Sequence, residues 1–535
     1  MYGHSDSSVS VAASTTRAAG NGDGMQRKRK VTLFHPAPSP PVHPWRGAPL
    51  ALLSASGFLD RQGYDIRIIA DFLYHDLEEQ VLEHCRDSVC LGISTFTGHQ
   101  ISEGLRVARL VREKLPQLPI VWGGWHPSIL PEQTVADPNV DIVVRGQGER
   151  TFTELVNALY HGRSLDGIQG LVWRENGALR VNPPRALEDI NNFPSVPYHL
   201  VNVERCLVAT DFGQRGLMYV SSYGCPHRCA FCVEPVLNKR RWSGLEPERV
   251  VSEWEYLVRE YDLDSIILYD NNFFVDKERV HSICSELIRR NVRVRIVGAS
   301  GRIPQLIKYE PEIWQVMRRA GLASILVGAE SGVQETLDLL HKDMVVGDTL
   351  RLAKVCARYD VQIVYSYLIG SPWSDDLEES ERRVDEEYRG TISQIDQLLK
   401  VGRQNIFMWF VYTPYPGSEL FQRAVGLGFV PPSSLEGWST VVLSPSTGQQ
   451  RGWISRGQVR RTSMISNYVW RLMDARTYEQ VRARLHNKIA KLLYAAVYPI
   501  AAAVARLRWK LKFFGLPIDY WLFLKARERL GLGKE

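Results

Sequence analysis

The chain has 535 residues, 44% of them apolar and 23% charged, with a formal charge of +6, which is ordinary globular composition at a length that implies two to four domains. Eight cysteines in so long a chain exclude a disulfide scaffold, and three of them crowd into eight residues. From Arg471 onward fourteen Lys or Arg face five Asp or Glu, so this tail carries +9 and the remainder −3. A localised basic tail argues against nucleic acid, which needs cations spread over a groove with stacking aromatics; it suits an anionic membrane surface or an acidic partner.

Residues 1–30 are small and polar and read as a disordered tail without the apolar stretch of a secretory signal, so the chain is expected in the cytoplasm. From Val31 to Tyr160 the apolar runs VTLFH, YDIRIIA, SVCLGIS, LPIVWGG and VDIVVRG alternate with amphipathic stretches such as ISEGLRVARLVREKL. This predicts a doubly wound, Rossmann-like α/β domain of five parallel strands over 31–167. Such a sheet binds its ligand at the carboxyl edge, here Ser94 to Gly98, Gly123-Gly124 and Gly146 to Glu149, and glycine there lets a large ligand approach the backbone. The proline-rich first turn has no GxGxxG, which disfavours a dinucleotide.

Residues 168–210 form a Pro- and Asn-rich connector with a hairpin expected around Glu175-Asn176-Gly177. A second alternation over 211–430, with runs at LMYVSS, SIILYDN, RVRIVGAS, SILVGAES, VQIVYSYLIG and IFMWFVYTPY, predicts six βα units in a partial barrel with working residues at the strands' carboxyl ends. Just beyond the first of these strands lies YGCPHRCAFCVEP, with cysteines at 225, 229 and 232. Three thiolates on a four-iron cubane leave one iron without a protein ligand. The alternatives are zinc with His227 as fourth ligand, or ordinary thiols; structural zinc usually takes a second ligand pair, and none of the other five cysteines forms one.

The CxxxCxxC spacing, with Phe231 before the last cysteine and a strand before the first, resembles the signature of the radical S-adenosylmethionine (SAM) superfamily over Leu217 to Tyr415. The resemblance implies a 4Fe-4S cluster on Cys225, Cys229 and Cys232 whose open iron chelates SAM, and SAM contacts from Phe231, Asp270, Asn271, Glu330 and Ser366. It also implies a reducing partner such as flavodoxin or ferredoxin. The order ISTFTG, WGGWHPSILPEQ, VDIVVRGQGERTFTEL is similar to the cobalamin-binding domain that precedes the barrel in cobalamin-dependent radical enzymes. That similarity implies a slot for the nucleotide tail lined by Ser94, Thr95, Thr97, Gly123 and Gly124, with His126, Gly146, Gly148 and Glu149 near the corrin or the barrel. The cobalt-ligating pattern DxHxxG is absent; His35 and His43 lie in the corresponding loop without it.

Together the resemblances imply a methyltransferase acting on an unactivated carbon of a small-molecule substrate, hydrophobic or a natural product. One SAM would methylate cobalamin and a second would yield the radical that removes hydrogen from the substrate, since a carbon without an acidic proton or lone pair cannot attack a sulfonium. The rivals are an oxidative cyclisation, as in the anaerobic magnesium-protoporphyrin cyclase, and a non-catalytic cobalamin or iron-sulfur sensor.

Residues 431–535 read as a helical basic region. Tyr478, Val481, Leu485, Ile489 and Leu492 recur at helical spacing, and the apolar run Leu492 to Ala505 falls short of the roughly twenty residues a spanning helix needs, with Pro499 expected to interrupt it. The segment is either a helical cap over the barrel or a helix lying in a membrane interface.

Overall fold

The computed structural model describes residues 29–37, 47–74, 76–402, 405–442, 452–474, 478–479, 481–482, 485 and 488–529. His43 and the first 28 residues, which make up nearly all of the expected tail, lie outside them.

The first sheet contains β1 (Lys30–His35), β2 (Asp65–Ala70), β3 (Leu91–Ser94), β4 (Ile120–Gly123) and β5 (Ile142–Val144), all parallel in the order β2-β1-β3-β4-β5. Its strands are nearly continuous apolar runs because helices such as Leu50–Arg61, His99–Lys114 and Gly148–His161 flank the sheet. Val31, Leu91, Ile120 and Val143 are fully buried. This is the five-strand parallel arrangement read from the sequence. The hairpin assigned to the connector belongs to this sheet as well: β6 (Leu171–Glu175) pairs antiparallel with its β5 edge, and β7 (Ala178–Val181) pairs antiparallel with β6. Asn176 and Gly177 turn it with positive φ, and Leu171, Val172 and Trp173 are buried, which draws the hairpin onto the domain.

The second unit contains β8 (Val208–Thr210), β9 (Gly213–Tyr219), the pair β10 (Ser222–Gly224) and β11 (Trp242–Gly244), then β12 (Ser265–Leu268), β13 (Arg295–Val297), β14 (Ala299–Gly301), β15 (Ser324–Glu330), β16 (Gln362–Ile369) and β17 (Ile406–Val411). Parallel pairing runs β9-β12-β13 and β14-β15-β16-β17. Strands β13 and β14 are consecutive pieces of one path, broken at Gly298 (φ 70°), whose N–H donates to Ser324 Oγ at 2.9 Å. Counted that way, six parallel strands form the expected partial barrel, with helices between them.

The region after residue 430 is not a single helical cap. Residues 435–441 lie on the first domain, where Trp438 Nε1 donates to Gln133 Oε1 at 2.6 Å and Arg109 pairs with Glu436 at 2.7 Å. The helix Arg456–Met464 and the π-helical Ile465–Trp470 pack beside the barrel: Trp470 meets Phe407 of β17 edge-on at 4.7 Å, and Trp453 Nε1 donates to the Gly370 carbonyl. The following helix, Lys488–Leu511, runs through Pro499 without a break. Pro499 is exposed, on the face of the helix turned to solvent. Among the described residues no helix is long and apolar enough to cross a membrane.

Candidate functional site

A cavity of about 220 Å³ opens at the carboxyl edge of the first sheet. Six expected residues line it: Ser94 after β3, Gly123 and Gly124 after β4, and Gly146, Gly148 and Glu149 after β5. Gly124 holds φ 96°, and a Cβ there would stand 2.7 Å from the Thr95 carbonyl, so the close approach of two loops requires glycine. Ser128 ties these loops together, donating to the Gly124 carbonyl and accepting from the Gly146 N–H.

The opposite wall comes from the second unit, through Tyr223, Leu237 and Asn238. Tyr223 precedes Cys225 by two residues, and Asn238 Nδ2 donates to Glu234, two residues after Cys232. Glu149 is buried at the meeting point; it accepts from Ser54 Oγ at 2.8 Å, Ser54 lies 3.4 Å from the Tyr223 hydroxyl, and burial pushes the Glu149 carboxyl up. Sequence reasoning missed Ser54, Tyr223 and Asn238, although Tyr223 stands inside the cysteine motif.

Thr95 and Thr97, expected in the slot, and His126, expected to be structural or beside the corrin, lie off the cavity wall. The Thr97 hydroxyl and His126 Nδ1 are 2.9 Å apart, the His126 N–H donates to the Thr95 carbonyl, and the His126 ring lies 5.7 Å from that of Trp438. Burial lowers His126 to a pKa of about 4, so it is a neutral packing group between the sheet edge and residues 435–441. Thr95 is 2% exposed and Thr97 is bound to His126, so both stand behind the cavity wall rather than on it. His35 ends β1 as a neutral imidazole, its pKa lowered to about 4 by burial.

The cysteine loop is closed at its base by the antiparallel pair β10-β11. Ala230 at its centre donates its N–H to the Leu340 carbonyl and accepts from the N–H of Leu420, which ends the TPYPGSEL turn. Burial raises the Cys225 thiol and pushes Cys232 to about 12, so both are protonated at neutral pH without a metal, and metal binding would release those protons. Among the described residues no three His, Cys, Asp or Glu side chains converge on one point as a mononuclear ion requires. A cubane instead presents a separate iron to each thiolate. His227, the candidate fourth zinc ligand, is held neutral with its pKa lowered to about 4, first by burial and then by Arg302.

Asp270 and Glu330, both expected to contact SAM, have partners within the protein. The Asp270 carboxylate accepts from the Ser221 N–H at 2.7 Å and from both the Ser221 and Ser222 hydroxyls at 2.6 Å, fixing the strand that leads into the cysteine loop. Glu330 has φ 56° after a bulge in β15 and pairs with Lys342 at 2.7 Å, both side chains being under a tenth exposed. Lys342 lies 5.8 Å from the Phe231 ring and was not foreseen. Asn271 is exposed and accepts from the Gly224 N–H, while buried Asn272 places its amide 4.0 Å from Cys225 Sγ. Ser366 in β16 pairs in register with Gly328 and Met408; the alternate residues Tyr365 and Tyr367 are buried and stack with Phe407, so Ser366 faces the barrel interior.

The model of the B12 binding domain matches residues 45–156, and that of the Radical SAM superfamily matches residues 219–384. The chain therefore carries a B12 binding domain followed by a Radical SAM domain. The enzyme is 28% identical over 389 residues to an uncharacterized methyltransferase of Pyrococcus horikoshii, covering 71% of this chain and 79% of the relative. It is 26% identical over 388 residues to the anaerobic magnesium-protoporphyrin IX monomethyl ester cyclase of Synechocystis, covering 71% and 74%. Its fold resembles that of the radical SAM methyltransferase TsrM from Kitasatospora setae, solved with cobalamin and a [4Fe-4S] cluster, with TM-score 0.59, 19% identity and 75% of each chain covered.

Proposed function

We propose that the enzyme is a cobalamin-dependent radical SAM methyltransferase that adds a methyl group to an unactivated carbon of a small-molecule substrate. The observation that carries this reading is the shared cavity: glycine-edged strand ends of the B12-binding domain form one wall, and residues flanking the cysteine motif form the other. That glycine edge suits cobalamin, because a Cβ at Gly146 would meet open space and one at Gly123 or Gly148 only ordinary contacts, while Gly124 lets the two loops close on each other. In this reading Ser94 and the glycine edge hold the nucleotide end and Glu149 lies toward the barrel. Cys225, Cys229 and Cys232 hold the cluster, and Phe231, Asn271 and Ser366 border SAM.

When bound, the cluster with SAM supplies a carbon radical and cobalamin supplies a methyl group. The chain's own residues do the positioning. Asp270 holds Ser221 and Ser222 so that Tyr223 meets the cavity, and β10-β11 closes the loop above it. The Lys342-Glu330 pair packs beside Phe231, and buried Tyr365 and Tyr367 back the strand that presents Ser366, so water is excluded from that wall. A reducing partner such as flavodoxin or ferredoxin belongs to the same reading.

Anaerobic purification with cobalamin, reduction, and turnover of candidate substrates with methyl-labelled SAM test it. A product heavier by one CH2 and carrying the label supports methyl transfer. SAM cleavage with a cyclised, unlabelled product would replace it with the cyclase reading that the Synechocystis relative favours. Absence of any SAM cleavage would favour a sensor.

A further inference from the structure

The helix Lys488–Leu511 has two apolar faces. Ala502, Ala505 and Trp509 are buried on one, with Trp509 5.8 Å from Trp470 and its Nε1 donating to Asp396 at 2.8 Å. On the other, Leu492, Ala496, Ile500, Ala503, Leu507 and Leu511 follow each other at helical spacing and are exposed. The ridge continues through Leu516 and Ile518 to Trp521 and Leu522, exposed residues at the start of the helix Ile518–Arg529. Ten of the twenty-one strongly exposed large apolar side chains among the described residues lie between 492 and 522, whereas the rest are dispersed over the chain. Dispersed residues need no explanation; a continuous ridge does.

Charge decides what covers it. Between 488 and 529 there are nine Lys or Arg against two Asp or Glu, and one of those acids, Asp519, is held by Arg508 at 2.5 Å. Exposed Lys488, Arg506, Lys510 and Lys525 therefore flank the ridge with little opposing charge. The ridge is a convex helix face rather than a groove, and the helix is too polar to span a membrane. We infer that the outward face of residues 488–522 docks on the surface of an anionic lipid bilayer, with its aliphatic side chains at the acyl boundary and its cations at the headgroups. The inner face keeps its contacts with the barrel side, so the segment serves as both cap and surface anchor.

The test is co-sedimentation of the full-length protein with phosphatidylcholine vesicles, with or without phosphatidylglycerol. The wild type is expected to sediment with the anionic vesicles and be released by salt. Replacing Lys488, Arg506 and Lys510 with Gln lowers partitioning about fivefold for each cation, on the order of 100-fold in all. The pair Ile500→Asp and Leu507→Asp abolishes it. These side chains are exposed, so both variants should retain cobalamin uptake and the far-ultraviolet dichroism of the wild type, which separates lost docking from lost fold. Wild-type protein that stays in the supernatant, or variants that sediment as the wild type does, would overturn the inference. So would a dimer that the Asp pair converts to monomer without any change in vesicle binding, because a second copy would then be the occupant.

Discussion

Breaking the Lys342-Glu330 pair separates a structural from a ligand-binding role for Glu330. At 2.7 Å and under a tenth exposure, the attraction is about 6 kcal/mol at an effective dielectric of about 20, and the desolvation of two ions offsets much of it. The intact pair therefore contributes little net stability, but removing one partner strands the other. Lys342→Met leaves a carboxylate buried beside the Gly328 backbone, and Glu330→Gln leaves a buried ammonium; each is expected to lower stability by about 3–5 kcal/mol. The double variant should lose well under the sum of the two, because no buried charge remains without its counter-charge. Urea denaturation at neutral pH, followed by circular dichroism, measures the cycle. Single variants within about 0.5 kcal/mol of the wild type, or strictly additive losses, would refute the reasoning. A Glu330→Gln enzyme with unchanged stability and a raised KM for SAM would return Glu330 to the substrate.

Replacing any one of Cys225, Cys229 or Cys232 with Ala should remove the iron-sulfur absorption and SAM cleavage after anaerobic reconstitution, while cobalamin uptake persists; unchanged iron content and turnover would remove the basis of the proposed function. Gly124→Val places a Cβ against the Thr95 carbonyl at a φ of 96°, a strain of about 1–3 kcal/mol, so cobalamin retained through gel filtration should fall sharply, as its absorbance reports. Glu387 is fully buried and accepts from the Gly370 N–H and Trp373 Nε1; burial pushes its carboxyl to about 7. Its folded pKa lies above the ordinary 4.5, so its contribution is present below pH 4.5 and is lost as pH rises through about 7, a change of about 3 kcal/mol. The stability difference between wild type and Glu387→Gln should shift by that amount from pH 5 to 8, and a flat difference in unfolding midpoints would contradict it.

The order of the strands and the cysteine motif were legible because both are local. Period, run length and spacing are properties of short stretches of chain, and β1 to β5, the six barrel strands and Cys225 to Cys232 all fell where those signals put them. Side-chain partners were not legible, because they are set by residues distant in sequence. Asp270 and Glu330 stand at strand ends, where ligands bind, yet Ser221 lies 49 residues before Asp270 and Lys342 twelve after Glu330. Nothing in DNN or VGAESG says that these carboxylates are already satisfied. The buried Glu387 was missed for the same reason: on the helix Leu377–Val401 it reads as one acid among many, and only the fold sets it against the Gly370 loop.

The same distinction bears on how two domains come to serve one reaction. Ser54 and Glu149 belong to the first domain and Tyr223 to the second, and their side chains meet within 3.4 Å at the cavity that the two domains share. Tyr223 lies between Ser222, which Asp270 fixes, and Gly224, whose N–H is held by Asn271. A displacement of the cysteine loop therefore carries the cavity wall with it. If the proposed function holds, Tyr223→Phe should preserve the wall and most of the activity, because the ring fills the space and the hydroxyl makes only one long contact among the described residues. Tyr223→Ala should weaken cobalamin retention and uncouple SAM cleavage from methyl transfer, because the cleft between the domains would then admit water. Equal ratios of cleaved SAM to methylated product in Tyr223→Ala and the wild type would show that the contact between domains has no part in directing the radical.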